Sequence, residues 1–395
     1  MLTAALLTLA FFPYAKAFSN YHAVERLNKL DLPSEVHEVT TEDGYILTMF
    51  RIPNPGGTPV LFVHGFLASS DIWLLLPKKE QNIATIVHSA GYDVWMTNYR
   101  GNEYSRKHVS LSTSTNNEKY WNFGLHEIGV YDIPAAVDFM LNKTGEESII
   151  YIGHSMGTSV CMVALSERPE YNKKIRAAVL LAPIIFPFYE GRVPFINLLV
   201  NSADLAASLF YYLDIYEILG QNIIKNTLIK TFCGLQLSLC SRVYSFLFRQ
   251  DLDNIIVQDL PYYIEKQSVG TSVQSFQHIA NVVGSGLQNF TRYNYGPEKN
   301  MMYYGSEYPP RYTIEKITTP IAIFHSESDA FLDNLVLDRI RNILHTIMFD
   351  YNVPEPAFQH MDYLYGLNCR ELVAPQILNV LSHFSNENLY DESLN

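Results

Sequence analysis

Ile149-Ile150-Tyr151-Ile152-Gly153-His154-Ser155-Met156-Gly157 runs from a β-branched and aromatic tetrad into the pattern Gly-x-Ser-x-Gly, after which Val160, Val163 and Ala164 continue at helical spacing. The order is strand, tight turn, helix, the context in which that pattern forms a nucleophile elbow. So sharp a turn leaves no room for a side chain at either glycine, and its strain holds the Ser155 hydroxyl out over the edge of a sheet.

Other short runs rich in β-branched and aromatic residues surround this one: Val60-Leu61-Phe62-Val63, Tyr92-Asp93-Val94-Trp95-Met96, Ala178-Val179-Leu180-Leu181 and Ile321-Ala322-Ile323-Phe324. Each is followed by a turn and a helical pattern, the rhythm of βαβ units around a buried parallel sheet. Before the Ser155 strand, Ile133, Val137, Met140 and Leu141 share one helical face, with Asp132 placed to cap the start and Pro134 tolerated in the first turn. From about Ile184 to about Tyr304 the rhythm stops in a stretch rich in Phe, Tyr and Leu, including an apolar run from Phe195 to Tyr212. The expectation is an α/β-hydrolase fold: a mostly parallel sheet flanked by helices, its core at 18–184 and 305–395, with a mainly helical cap inserted at 185–304.

A serine hydroxyl needs a base to take its proton and a carboxylate to hold that base, and on this fold they follow in the order Ser, Asp, His. Asp329 stands just after the Ile321–Phe324 strand, with Glu327 and Asp333 as rivals in the same loop. His360, in Phe358-Gln359-His360-Met361-Asp362-Tyr363, is the candidate base, whereas His345 sits among Ile343, Leu344 and Ile347 in a helix-like pattern. The oxyanion needs two backbone N–H donors. Met156, next to the nucleophile, supplies one and Leu67, in His64-Gly65-Phe66-Leu67-Ala68, the other. His64, before the glycine, reads as a structural hydrogen-bonding residue. This chemistry calls for no metal or cofactor.

A net charge of −12 over 395 residues, with no clustered Lys or Arg, excludes a nucleic-acid binder. Hydrophobic residues at 48% and charged ones at 17% provide for a substantial core. The apolar stretch Leu2 to Phe12, then Ala15-Lys16-Ala17, reads as a signal peptide at 1–17, without the usual leading positive charge. No later segment has the length and uniform apolarity of a membrane span, so a secreted or lumenal protein is expected. Asn142 and Asn289 begin glycosylation sequons. Four cysteines, Cys161, Cys233, Cys240 and Cys369, allow three full pairings. Cys233 and Cys240 are near enough to staple a short loop, while Cys161 lies in an apolar helical pattern and reads as a buried thiol.

The chain also resembles the animal acid lipase family, which includes the gastric and lysosomal lipases, from about Val36 to beyond His360. The likeness is carried by Thr41-Glu42-Asp43-Gly44-Tyr45, His64-Gly65-Phe66-Leu67-Ala68-Ser69-Ser70, Asn98-Tyr99-Arg100-Gly101-Asn102, Tyr131-Asp132-Ile133-Pro134, Gly270-Thr271-Ser272-Val273-Gln274 and His360-Met361-Asp362-Tyr363. It implies a triad of Ser155, Asp329 and His360, oxyanion donors at Leu67 and Met156, and a cap disulfide between Cys233 and Cys240. Met156 stands where the family usually has glutamine, and His325-Ser326-Glu327-Ser328 replaces a glycine-containing approach to the acid. The resemblance implies a secreted or lysosomal lipase working on triacylglycerol or cholesteryl esters at a lipid-water interface. A carboxylesterase for small esters and a non-catalytic lipid-binding protein are the alternatives.

Overall fold

The computed structural model describes residues 21–115, 117–185, 194–220, 223–284, 290–332 and 334–385. Its main sheet has nine strands: β1 Glu35–Thr40, β2 Tyr45–Ile52, β3 Pro59–Val63, β4 Asp93–Thr97, β5 Lys107–His108, β6 Ile149–His154, β7 Ile175–Leu181, β10 Ile321–His325 and β11 Ile347–Asn352. Their order is β1-β2-β4-β3-β6-β7-β10-β11, with β5 on β2. From β4 to β11 all pairings are parallel, and β1, β2 and β5 form an antiparallel margin. The five sequence-predicted strands are thus β3, β4, β6, β7 and β10, all parallel neighbours in the centre of the sheet.

Every residue of β3, β4, β6 and β10 is buried. Alternation still sorts them by face. Leu61, Val63, Ile149 and Tyr151 join one core cluster with helices Ile133–Thr144 and Met156–Glu167. Val60, Phe62, Ile150 and Ile152 join the other, with Trp73, Ala84 and the C-terminal helix Ala374–His383. Such two-sided cover is what parallel strands require.

Asp132 does not cap its helix. One turn of π-helix, Ile128–Asp132, leads into helix Ile133–Thr144, so Asp132 has helical dihedrals and lies inside the helical run. Its carboxylate turns instead to Arg100, accepting from the backbone N–H at 2.9 Å and from Nε at 2.7 Å. Both side chains are 1% exposed. His345 lies in an exposed turn after helix Asn334–Ile343, and Ile347 opens a strand.

Between β7 and β10 the described residues are mainly helical: Pro194–Tyr212, Ile223–Leu235, Leu237–Phe248, Leu260–Lys266, Val273–Gly284 and Pro297–Tyr304. One short antiparallel pair, β8 Glu217–Ile218 with β9 Thr271–Ser272, ties the segment together. Cys233 and Cys240 form a disulfide joining two of these helices, and Cys161 and Cys369 are buried free thiols. Asn142 is exposed on the last turn of its helix, while Asn289 and the expected signal peptide lie outside the described residues. Among the described residues no helix is long and apolar enough to cross a membrane.

Candidate active site

Ser155 stands between β6 and helix Met156–Glu167 with φ +54° and ψ −122°, a conformation that a non-glycine residue keeps only when its surroundings enforce it. The enforcement is local. A Cβ on Gly157 would lie 2.5 Å from the Val63 carbonyl oxygen, and one on Gly153 2.8 Å from the Gly157 carbonyl. The Ser155 N–H donates to the Leu181 carbonyl at 3.1 Å, fastening the turn to β7. Against it lies the loop after β3, where a Cβ on Gly65 would come 3.1 Å from the Ser155 Cβ.

Asp329 and His360 meet at the C-terminal ends of β10 and β11. His360 Nδ1 is 3.0 Å from Asp329 Oδ2 and 3.2 Å from Oδ1, and both residues are buried. The acid loop is fixed at several points. Phe331 N–H donates to Asp329 Oδ1 at 2.8 Å, and Ser326 Oγ donates to the Phe358 carbonyl at 2.9 Å, tying the two loops together. His325 points away from the dyad, to Asp350 at 2.9 Å, and Arg341 Nε holds the same carboxylate at 2.7 Å. Of the rivals, Glu327 is exposed and Asp333 lies outside the described residues.

His154, which sequence reasoning did not single out, connects the Ser155 turn to His360. Its Nε2 donates to the His360 carbonyl at 2.9 Å, and the two rings lie 4.8 Å apart between centroids. Burial holds its pKa well below that of a free imidazole, so it serves as a neutral tether. The Phe331 ring also lies near His360, at 4.7 Å between centroids. Asp362 is a second residue that sequence reasoning passed over. Its fully buried carboxylate accepts from the Gln359 N–H and from Gln250 Nε2, both at 2.6 Å, and burial pushes its pKa up to about 7. Gln250 belongs to the segment between β7 and β10.

The two candidate oxyanion donors bracket Ser155. Met156 is the first residue of its helix, so its N–H has no intrahelical acceptor. Leu67 has φ +59°, and its carbonyl accepts from the Val269 N–H at 2.9 Å. Its side chain and that of Phe66 pack on Ala207, Ile218 and Val273 of the helical segment. His64 plays the structural part expected. Nδ1 donates to the Gly65 carbonyl at 2.8 Å, Nε2 accepts from the Tyr99 N–H at 3.4 Å, and burial lowers its pKa to about 4. Among the described residues no cluster of His, Cys, Asp and Glu could hold a metal.

This arrangement has the parts that acyl transfer calls for: a half-buried turn serine, an oriented imidazole and two candidate backbone donors. Comparison with known proteins agrees. The family described as "alpha/beta hydrolase fold" matches residues 58–364, and "Partial alpha/beta-hydrolase lipase region" matches residues 23–76. The chain is 32% identical to the lysosomal acid lipase/cholesteryl ester hydrolase of Macaca fascicularis, over 93% of this chain and 92% of that one. It is 31% identical to the gastric triacylglycerol lipase of Rattus norvegicus, over 92% of each. Among solved structures, a lipase-like protein from Sulfolobus solfataricus shares the fold, with a TM-score of 0.58 at 15% identity and coverage of 89% of this chain and 94% of that one.

Proposed function

From the premise that the chain belongs to the acid lipase family of α/β-hydrolases, we propose that Ser155, His360 and Asp329 hydrolyse esters of neutral lipids through an acyl-enzyme. The enzyme is an ester-hydrolysing serine hydrolase and a lipase. In the proposed cycle His360 takes the Ser155 proton as the oxygen attacks the ester carbonyl, while the Met156 and Leu67 N–H groups receive the oxyanion. His360 then protonates the departing alcohol. Asp329 keeps Nδ1 protonated, so that Nε2 is the basic nitrogen throughout. Water enters by the same route and releases the fatty acid.

The observation that carries this reading is the contact of His360 Nδ1 with the buried Asp329 carboxylate, beside a serine held at φ +54°. Residues 185–304 are read as the cap. Its helices expose Leu205, Tyr212, Leu235 and Phe246, each more than 70% accessible, and such surface suits long acyl chains, at roughly 0.8 kcal/mol for each methylene buried. The substrates proposed are triacylglycerol and cholesteryl esters at a lipid-water interface, and the locations secretion or the lysosome.

The test is hydrolysis of emulsified trioleoylglycerol, cholesteryl oleate and a short soluble ester by the full-length protein and by Ser155→Ala. Long-chain cleavage that vanishes in Ser155→Ala is the expected result. Cleavage of the short ester alone would make the protein a small-ester esterase, and activity that survives Ser155→Ala would overturn the assignment of the nucleophile.

A further inference from the structure

Two polar contacts join the loop after β3 to the end of helix Leu260–Lys266 and the chain that follows it. The first is the bond from the Val269 N–H to the Leu67 carbonyl. The second is an ion pair, with Lys266 Nζ 2.8 Å from Asp71 Oδ2, the ammonium side chain 8% exposed and the carboxylate 0%. Together they fasten both ends of the stretch Leu67 to Asp71 to a single short run of the cap, Lys266 to Val269.

The environment of Asp71 shows how specific that fastening is. Tyr104 donates its hydroxyl to the same Oδ2 at 2.8 Å, and His22 Nδ1 stands 3.3 Å from it. The ammonium, with His22 beside it, holds the Asp71 carboxyl well below the usual carboxylate range, and the pair pushes Lys266 above the usual ammonium range. A charge pair so buried has lost most of its hydration, and two such groups stay ionised only in a narrow relative geometry. What the pair adds over a surface contact is therefore position. The Leu67 backbone is the part that needs it, since a leucine at φ +59° relaxes unless its neighbours prevent it. Ser69 lies between the two anchors and caps the 3-10 turn Ser70–Leu74 that carries Asp71, its Oγ accepting from the Asp71 N–H at 3.4 Å, which ties the Asp71 backbone to the same loop.

We propose that Lys266, acting through Asp71, is a positioning residue that holds the Leu67 N–H where the oxyanion forms, so that the cap shapes the catalytic site as well as covering it. The proposal rests on the reading of Leu67 as an oxyanion donor. It predicts a defect confined to the transition state, because substrate binding does not depend on that N–H.

The experiment uses the full-length protein, with folded sites counted by a fluorophosphonate that labels the active serine. For each titrated site, kcat and KM are measured on p-nitrophenyl butyrate, together with the Ki of an alkylboronic acid, whose tetrahedral adduct puts an anionic oxygen in the oxyanion position. In Lys266→Met, kcat is expected to fall at least about tenfold and the boronate Ki to rise by a similar factor, with KM changed less than about twofold, since loss of a whole donor costs about 100-fold or more. Lys266→Arg should recover most of both losses. Lys230→Met, which removes an exposed pair with Glu265 on the same cap, should match the wild type. Asp71→Asn is read in the same way and keeps the test decisive should Lys266→Met not fold. Unchanged kcat and boronate Ki in either folded variant would overturn the positioning role alone. A wild-type enzyme insensitive to the boronate would overturn the oxyanion reading and this proposal with it.

Discussion

Replacing Asp362 with asparagine should remove a pH dependence from the stability of this protein. The carboxylate is fully buried two residues beyond His360, and burial pushes its pKa from 3.8 up to about 7. Because the folded value lies above the unfolded one, the folded protein keeps a proton that the unfolded chain has released. Stability is therefore present below about pH 4 and is lost as pH rises through about 7. Linkage gives the size: ionisation favours the unfolded chain by about 2 kcal/mol at pH 5 and about 4 kcal/mol at pH 8, a loss of roughly 2 to 3 kcal/mol between them. An amide at this position does not titrate. It can still accept from the Gln359 N–H, and Gln250, whose Oε1 has no hydrogen-bond partner among the described residues, can reverse its own amide to accept from the new donor. Urea unfolding of wild type and Asp362→Asn at pH 5 and pH 8 measures the effect. The variant should lose roughly 2 to 3 kcal/mol less than wild type over that interval, whatever constant offset it shows. Equal losses in the two proteins would refute the argument, because they would mean that the buried carboxyl does not hold its proton.

Two further outcomes follow from the buried charges. Asp329→Asn keeps the size of the group but favours the wrong His360 tautomer, so kcat per titrated serine should fall about 10⁴-fold in a folded protein; a change of less than about tenfold would refute the role given to Asp329. Arg100→Met leaves the buried Asp132 carboxylate the backbone N–H but not the guanidinium, and leaves Asp43 without the bonds it takes from that group. It should cost about 3–5 kcal/mol in urea unfolding. Burial already pushes Asp132 up to about 6 with Arg100 present, so the deficit should widen between pH 5 and pH 8; a deficit that narrowed would contradict the assignment.

How much of the fold could be read from the sequence depended on where each strand lies in the sheet. β3, β4, β6, β7 and β10 are central and covered on both faces, so they appear as unbroken apolar runs. β1 and β11 are at the two edges. Their burial alternates, and segments such as Glu35–Thr40 and Ile347–Asn352 mix charged with apolar residues in a way that a turn or helix end also produces. His345 reads as helical for that reason: the apolar residues around it belong partly to a helix and partly to the strand beginning at Ile347. Asp132 misled differently. Its position before a helix face satisfied a capping rule, and only the fold shows that an earlier helical turn removes the need for a cap and that Arg100 requires the carboxylate.

The same distinction separates the legible half of the site from the rest. Ser155 announces itself because its backbone strain must be relieved by glycines close by in sequence, and Leu67 follows from a glycine loop directly after a strand. Asp329 and His360 are legible because the fold sets their order along the chain. Gln250 and Lys266 carry no such mark, since each takes its meaning from one carboxylate on a distant loop, Asp362 and Asp71. Nothing within several residues of Lys266 distinguishes it from a solvated lysine at the end of a helix. Its burial is imposed by the packing of the helical segment on the loop after β3, where Phe66 and Leu67 meet Ala207, Ile218 and Val273. Ser155 and Leu67 are constrained by their own backbone, and Asp329 and His360 by chain order, so pattern finds them, whereas Gln250 and Lys266 are constrained by a partner and become visible only with the fold.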